Sequence, residues 1–256
     1  MKDEDFALSR ILELETRSKY NDTIECSYFF SYSELYQINT RLPKKSKDNA
    51  LIYGGWEEAE SRCFFFLPDY LSKEEFLENR LFESYIGCYL VELKFEAYAQ
   101  PLSHRSLLGS LMGLGVKREM LGDIYVEGNR AIIFALKTIE KDVLTMEKIG
   151  NDKVEISSIS YTDSPIKPAY ETIRITYDSN RFDSILSECF HISREEAKRQ
   201  ILAGNAFLTS SSIPSPNSEV QPLDHLSIKG KGKVTFLEET GVSKKGKRIA
   251  LIKKTI

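Results

Sequence analysis

Two short helices near the C-terminal end constrain the fold more than any other feature of the sequence. They are predicted within the run SNRFDSILSECFHISREEAKRQILAGN, residues 179–205. Ser193 and Glu196 predict a capping box at the start of the second helix, and Gly204 predicts a left-handed residue after its end. The first helix has one apolar face, formed at helical spacing by Phe182, Ile185, Leu186 and Cys189. We therefore expect two helices packed on a small sheet.

Short apolar runs on both sides of the helices supply that sheet. Strands are predicted at residues 173–177, 206–209, 226–228 and 233–237. A turn at Gly230–Gly232 joins the last two of these strands. Residues 248–252 predict a final strand, and the lysines around it suit an edge strand because they hinder pairing with other chains.

Charge is distributed unevenly along the chain. Residues 176–256 contain 13 Lys and Arg against 9 Asp and Glu, a net charge of +4, whereas residues 1–175 contain 22 against 29, a net charge of −7. The net charge of the whole chain, −3, would by itself argue against a nucleic-acid binder. The asymmetry instead predicts a basic binding module carried on an acidic body.

The basic residues of this module are placed where a phosphate backbone can approach. Arg194 begins the second helix, where unpaired backbone N–H groups favour phosphate, and Lys198 follows one turn later. The glycine turn leaves room for close approach of a nucleic-acid backbone. We predict RNA contacts at Arg181, Arg194, Lys198, Arg199, Lys229, Lys231 and Lys233. Two alternatives remain open, since each of these side chains can simply be solvated, and Arg181 can pair with Asp183 or Glu188.

The first part of the chain predicts a mixed module. Residues 1–42 have helical periodicity, residues 43–49 predict a loop, and residues 51–53 and 63–67 predict strands. Ser72 and Glu75 predict a capping box that opens a helix through Phe82.

The middle of the chain predicts a split βαβ sandwich. Its order is strand, helix, strand, strand, helix, strand, at residues 88–95, 104–112, 123–126, 131–136, 138–149 and 153–160, with a further short helix at 117–121. Residues 161–170 read as a linker. The sequence as a whole therefore predicts an α+β chain of three modules, at residues 1–82, 83–165 and 173–256.

The C-terminal module resembles the RNA-binding domain named after ribosomal protein S-four. The family pattern of Arg-x-Asp, Ser-Arg-x-x-Ala, a helix-ending Gly, an acidic turn and Gly-x-Gly appears in the same order here. The matching residues are Arg181 and Asp183; Ser193, Arg194 and Ala197; Gly204; Asp224; and Gly230 with Gly232.

The middle of the chain closely resembles the YlmH family of bacterial RNA-binding proteins. The run PLSHRSLLGSLMGLGVKREMLGDIYV carries that family's motif at Leu102, His104, Arg105, Leu108 and Gly109, at Leu114, Gly115 and Arg118, and at Gly122, Asp123 and Ile124. Residues 54–62 and 67–70 resemble the same family. Ser106 departs from it, because the family usually has Asp there.

The resemblance implies a fold and a function. It implies an RNA-recognition-like central module followed by the S-four-type domain, in a factor that binds ribosomal RNA and tRNA on the large ribosomal subunit. Such a factor acts without catalysis in the rescue or quality control of stalled nascent chains. Arg105, Lys117 and Arg118 are secondary RNA-contact candidates, the last two because they begin a short helix.

The sequence argues against a metal site, a cofactor site and a membrane span. The four cysteines and three histidines are isolated from one another, so no metal-ligand spacing is recognisable. No P-loop or Rossmann glycine pattern and no run of eighteen apolar residues appears. His104 has no nucleophile or carboxylate at a recognisable spacing. We expect a cytoplasmic monomer with no catalytic residues, no metal and no cofactor.

Two other functions remain open. Pseudouridine-synthase-type enzymes also carry S-four-type domains, although theirs usually come first in the chain, whereas here the domain comes last. The other alternative is an adaptor protein, associated with cell division, whose acidic N-terminal half binds a protein partner.

Overall fold

The acidic and basic parts of the chain fold as two compact units, residues 1–167 and residues 168–256. The computed structural model describes residues 2–57, 59–95, 100–167, 170–209, 211 and 214–255, and for residues 2–5, 32, 33, 36, 40 and 255 it describes the backbone alone. The predicted N-terminal and central modules both lie in the first unit. Both units combine helices with antiparallel sheets, so the predicted α+β class is confirmed.

The first unit begins with four helices around a small sheet. Its elements are α1 (Lys2–Asn21), β1 (Glu25–Cys26), α2 (Tyr32–Arg41), α3 (Lys44–Asn49), β2 (Ala50–Tyr53), β3 (Cys63–Phe66) and α4 (Lys73–Glu78). The sheet has the order β1-β3-β2, and its middle strand is buried on both faces. Phe64 and Phe66 pack with residues of α1 and α2, and Phe65 packs on Phe76 of α4 at 5.1 Å between ring centres.

Three expectations for this region were wrong in detail. Residues 1–42 were expected to be helical, but strand β1 lies between α1 and α2. Residues 43–49 were expected to form a loop, but they include helix α3, because Pro43 starts a helix readily and its carbonyl accepts from the Lys47 amide at 3.0 Å. The helix expected to run through Phe82 ends at Glu78, and a 3₁₀ turn covers Leu81–Ser84. The Ser72–Glu75 capping box is confirmed.

The rest of the first unit has the predicted order of elements. It consists of β4 (Ile86–Leu93), α5 (His104–Gly113), β5 (Leu121–Glu127), β6 (Arg130–Leu136), α6 (Glu140–Leu144), β7 (Lys148–Ile149) and β8 (Asp152–Ile159). Its sheet has the order β5-β6-β4-β8-β7. The helix expected at 138–149 stops at Leu144, since the chain turns into the β7–β8 hairpin through Gly150, whose φ is 60°. The helix expected at 117–121 is a single 3₁₀ turn, Arg118–Met120.

Strand β6 is buried on both faces of this sheet. Ala131, Ile133 and Ala135 of β6 belong to the core shared with α5 and α6. Ile132 and Phe134 point to the opposite side, as alternation along a strand requires, and they are also buried, with exposed fractions of 0% and 1%. The segment between β2 and β3 lies against that side, because a Cβ atom built on Gly55 would come within 2.8 Å of the Phe134 ring.

The second unit places two helices on one face of a five-stranded sheet. Its elements are β9 (Tyr170–Tyr177), α7 (Phe182–Phe190), α8 (Arg194–Leu202), β10 (Ala206–Leu208), β11 (His225–Ile228), β12 (Gly232–Val242) and β13 (Arg248–Thr255). Phe182, Ile185, Leu186 and Cys189 are buried as predicted, and Gly204 has the predicted left-handed conformation, with φ of 72°. The expectation that residues 248–252 form an edge strand was wrong, because β13 pairs with β12 on one side and β9 on the other.

Replacing Gly55 tests the contact that covers the central sheet. We expect Gly55→Ala to destabilise the first unit by about 2–4 kcal/mol, since the residue has φ of 97° and the added methyl group would collide with Phe134. Trp56 is the single tryptophan of the sequence and lies in the first unit. Its fluorescence during urea unfolding therefore reports the unfolding of that unit.

Gly113→Ala is the matched control. Gly113 ends α5 with no atom within 4 Å of an added Cβ, so this substitution should leave the same transition within about 1 kcal/mol of the wild type. Equal unfolding midpoints for the two variants would contradict the proposed close approach.

Candidate nucleic-acid interface

A single buried carboxylate gathers three of the predicted RNA-contact residues in the second unit. The side chain of Asp183, in the first turn of α7, has an exposed fraction of 0%. Arg181 donates to both of its oxygens, from Nε to Oδ1 and from Nη2 to Oδ2, each at 3.0 Å. Arg194 does the same, from Nε to Oδ2 and from Nη2 to Oδ1, each at 3.2 Å. Lys198 Nζ lies 3.9 Å from Oδ2.

The sequence positions explain why these four side chains meet. Arg181 is the N-cap of α7 and Asp183 is two residues further on. Arg194 is the first residue of α8, and Lys198 lies one turn later on the same face of that helix. His191 closes α7 in the left-handed conformation, with φ of 50°, so that α8 can pack against α7. The Arg-x-Asp and Ser-Arg motifs are therefore two halves of one cluster.

This Asp183 cluster, defined as Asp183, Arg181, Arg194 and Lys198, is partly open to solvent. The three basic side chains are 39%, 42% and 46% exposed, whereas the carboxylate is enclosed. Three positive charges therefore surround one negative charge and leave a net charge of +2. Two guanidinium planes held in this way present fixed N–H donors, a geometry that suits phosphate oxygens.

The charge of Asp183 is maintained by its neighbours. Burial alone would raise the pKa of the Asp183 carboxyl, but the hydrogen bonds from Arg181 and Arg194, with their positive charges, outweigh burial and lower this pKa below its ordinary value. The hydrogen bond to Asp183 likewise raises the pKa of Arg181. The Asp183 carboxylate thus stays ionised throughout the physiological range.

A loop fixes the start of α7 from the other side. The amide of Asp183 donates to the Pro216 carbonyl at 3.1 Å, the amide of Phe182 donates to the Ser218 carbonyl at 2.8 Å, and the amide of Val220 donates to the Asn180 carbonyl at 2.9 Å. The first two of these amides belong to the opening turn of α7, which has no partners for them within the helix.

The remaining predicted contacts of this unit lie outside the cluster. Arg199 pairs with Glu196, whose carboxylate also accepts from Gln200 at 2.7 Å. The Ser193 half of the predicted capping box is confirmed, because the Ser193 hydroxyl accepts from the Glu196 amide at 3.1 Å. The carboxylate of Glu196 is engaged with the Arg199 and Gln200 side chains.

The predicted lysines are at the opposite end of α8. The amide of Lys229 donates at 2.8 Å to the carbonyl of Asn205, which follows the C-terminal end of that helix. At 1.5 Å per residue, the helix places this turn about 13 Å from Arg194. Lys231 lies within the same turn, and Lys233 pairs with Ser227 in the β11–β12 ladder. The structure therefore gathers three of the seven predicted contacts at Asp183 and places Lys229 and Lys231 beyond the C-terminal end of α8. Arg199 and Lys233 belong to neither group.

In the first unit, two motifs of the YlmH resemblance meet at Asp123. This buried carboxylate accepts from the amides of Glu60 and Ser61 at 2.8 and 2.9 Å and from the Tyr125 hydroxyl at 3.1 Å. It also accepts from Trp56 Nε1 at 3.3 Å. Sequence reasoning gave Asp123 no role, although it stood in a motif of the family. Its role here is to hold residues 54–62 on the central sheet.

The secondary RNA-contact candidates lie on α5 and at the 3₁₀ turn before β5. Arg118 Nη1 donates to the Leu121 carbonyl at 2.6 Å, Lys117 precedes the 3₁₀ turn, and Arg105 is exposed in the first turn of α5. Partial burial lowers the pKa of His104, and the charge of Arg118 lowers it further while that of Asp123 opposes the shift. His104 is therefore the neutral imidazole at pH 7.

The central sheet offers no exposed stacking surface among the residues that the structure describes. RNA-recognition modules stack bases on aromatic side chains of the sheet face opposite their helices. On that face, Phe134 lies under Gly55 and packs on Tyr161 at 5.4 Å between ring centres, while Phe29 lies over Gly122. Over β5 and β6, this face is therefore occupied by the protein's own side chains.

Within the described part of the chain, no three His, Cys, Asp or Glu side chains are grouped so that they could ligate a metal ion. Over the same residues, each helix is too short or too polar to cross a lipid bilayer.

The fold and the cluster define an α+β protein with a partly exposed group of basic side chains in its second unit. Residues 83–163 match the family model described as "Putative RNA-binding domain in YlmH". A relative from Bacillus subtilis (strain 168), described as "Ribosome-associated protein quality control protein P2", is 27% identical over 196 residues, which cover 76% of this chain and 73% of the relative. The predicted resemblance to the YlmH family is thereby confirmed.

A solved structure shows a similar fold. It is described as "Cell division protein ylmH from Streptococcus pneumoniae", and the match has a TM-score of 0.51 and covers 64% of this chain and 94% of the other. At 18% identity, this match shows a similarity of fold alone.

The stability of the second unit should depend on pH through Asp183. Because folding lowers the pKa of this carboxyl, the stability that it contributes is complete above the ordinary value of about 3.9 and is lost as the pH falls through the lower folded value. We expect Asp183→Asn to be about 2 kcal/mol less stable at pH 7, less than for an enclosed ion pair because the arginines are partly exposed.

Hydrogen exchange of the α7 amides at pH values from 7 to 3 measures the stability of the second unit. The difference between wild type and Asp183→Asn should shrink as the solution is acidified below pH 4. A difference that stays constant down to pH 3 would show that the charge of Asp183 is not what stabilises α7.

Proposed function

We propose that this protein is a non-enzymatic RNA-binding factor that associates with ribosomal RNA and tRNA on the large ribosomal subunit, in the rescue or quality control of stalled nascent chains. The observation that carries the proposal is the Asp183 cluster, in which fixed, partly exposed arginines converge on one spot. Such an arrangement binds phosphate and positions a protein on folded RNA.

The comparisons support the choice of RNA and of the ribosome. The matched family model describes an RNA-binding domain, and the Bacillus subtilis relative is described as ribosome-associated. None of the matched descriptions names an enzymatic activity. A factor that works on ribosomes would act in the cytoplasm, and the proposal needs neither a metal nor a cofactor.

The proposed mechanism is recognition by shape and charge. The arginines of the Asp183 cluster contact neighbouring phosphates, and the turn at Lys229–Lys231 contacts the backbone about 13 Å away, at the far end of α8. Folded RNA presents such phosphates at fixed separations, whereas a flexible strand does not. The geometry therefore favours structured ribosomal RNA or tRNA over unpaired RNA at this surface.

Replacing the three basic residues of the Asp183 cluster tests the proposal. Arg181→Gln, Arg194→Gln and Lys198→Gln together should lower co-sedimentation with purified large ribosomal subunits at least tenfold, because each lost phosphate contact removes part of the electrostatic affinity. Glutamine supplies a neutral donor but does not compensate the charge of the buried carboxylate, so the second unit should lose stability. Circular dichroism identifies conditions in which the variant is folded, and binding is compared there.

Lys244→Ala with Lys245→Ala is the control, since it removes two charges from the hairpin between β12 and β13. Unchanged co-sedimentation of the folded triple variant would refute the assignment of this surface. Large subunits with and without peptidyl-tRNA test the rescue role separately, and equal binding to both would remove that part of the proposal.

Asp183→Asn separates two causes of RNA affinity, the fixed positions of the two guanidinium groups and the net charge of the protein. This variant makes the protein more positive, but it releases two guanidinium groups whose ordering on binding costs about 0.5–1.5 kcal/mol each. We therefore expect its Kd for a tRNA or ribosomal RNA fragment to rise roughly tenfold in a filter-binding titration. Tighter binding by Asp183→Asn would mean that charge alone determines the affinity.

A further inference from the structure

The outward face of the sheet in the second unit carries a second basic surface, separate from the Asp183 cluster. The core side chains Ala206, Leu208, Leu226, Ile228 and Val234 point toward α7 and α8. Because side chains alternate along a strand, the residues between them point to the opposite side. We name this opposite side the outer face, and it includes Phe207, His225, Ser227, Lys233, Thr235, Leu251, Lys253, Thr172 and Arg174.

Strand register places the cations of the outer face in a diagonal stripe. Lys233 of β12 lies two residues before Thr235, on the same face of the sheet. Thr235 pairs with Lys253 of β13. Lys253 in turn pairs with Thr172 of β9. Arg174 follows two residues later on the same strand and the same face. Diagonal neighbours on adjacent strands are separated by about 7–8 Å. One polynucleotide backbone can therefore pass over Lys233, Lys253 and Arg174 in sequence.

An aromatic side chain lies at the end of this stripe. Phe207 of the edge strand β10 is 53% exposed and is in register with Ser227, which pairs with Lys233. A phenyl ring exposed to this degree on a sheet has an open face on which a base can stack. Four strand spacings of about 4.8 Å separate β10 from β9, about 19 Å across the strands. The diagonal also advances four residues, about 13 Å, along the strands, so the whole stripe is about 23 Å long.

The charge of the outer face fits a polyanion. Among the strand residues that the structure describes, Glu238 is the single carboxylate that the register places on this face, opposite Leu251. Glu239 points to the other side, where it accepts from the Tyr177 hydroxyl at 3.1 Å. The Lys253 ammonium lies 3.9 Å from the centre of the Tyr170 ring, which holds it on the sheet.

We propose that the outer face binds an unpaired RNA strand that adjoins the structured RNA held by the Asp183 cluster. This proposal rests on the proposed function and adds a second substrate form to it. Phosphates lie along Lys233, Lys253 and Arg174, and a base stacks on Phe207. A flat sheet face with cations and one exposed ring suits single-stranded RNA, whose bases are free to turn toward the protein.

The experiment compares two probes, a blunt RNA hairpin and the same hairpin with an unpaired extension of about eight uridines, a length typical of single-strand sites. The wild-type protein should bind the extended hairpin roughly tenfold more tightly. Arg174→Ala with Lys253→Ala should abolish this gain and reduce the salt slope for the extended probe by about 1.4, as expected for two phosphates of a single strand. The wild type and this double variant should bind the blunt hairpin equally.

Substitutions at Phe207 test stacking. Phe207→Ala should lose most of the gain from the extension, and Phe207→Trp should retain it, because indole stacks at least as well as phenyl. The control, Lys244→Ala with Lys245→Ala, removes the same charge as the outer-face double variant and should keep the gain.

The results distinguish this inference from the proposed function. If the wild type binds the blunt hairpin but gains nothing from the extension, the outer face is not an RNA site and the proposed function stands. If the outer-face double variant weakens both probes equally, or the control loses the gain as well, the inference is also overturned. If the wild type binds neither probe, both proposals are overturned.

Discussion

The buried carboxylate of Asp183 determines what the second unit can do. Isolated in the protein interior it would be unfavourable, but two arginines each donate two hydrogen bonds to it, and these bonds hold their guanidinium groups in place. One side chain therefore has two consequences. It links the starts of α7 and α8, and it converts two flexible cations into a rigid, partly exposed pair.

A second buried carboxylate organises the first unit for a different purpose. Asp123 joins the segment between β2 and β3 to β5, and this segment covers the sheet face that RNA-recognition modules leave open. In the domain that matches an RNA-binding family, the part of this face formed by β5 and β6 is thus covered by the N-terminal part of the chain. The net positive charge of the chain lies in its C-terminal part, with +4 for residues 176–256 against −7 for residues 1–175.

Local patterns predicted the helices of the second unit well, because capping residues and a 3.6-residue period act within a few residues of each other. Pairing between distant strands was less accessible, and residues 248–252 were placed at an edge although they lie inside the sheet. The cationic residues were identified from their motif, and pairing of Arg181 with Asp183 was left as one alternative. That Arg194 shares the same carboxylate depends on how α7 packs against α8, which no local pattern contains. The role of Asp123 was missed for the same reason, since its partners are about sixty residues away in sequence.

The central claim is that the Asp183 cluster touches ribosomal RNA or tRNA in the working complex. Ultraviolet crosslinking in living cells, followed by mass spectrometry of the crosslinked peptides, tests this claim most directly. The account predicts crosslinks to large-subunit ribosomal RNA or tRNA in peptides that contain residues 181–199. Crosslinks confined to residues 1–167, or a protein recovered without RNA, would contradict it.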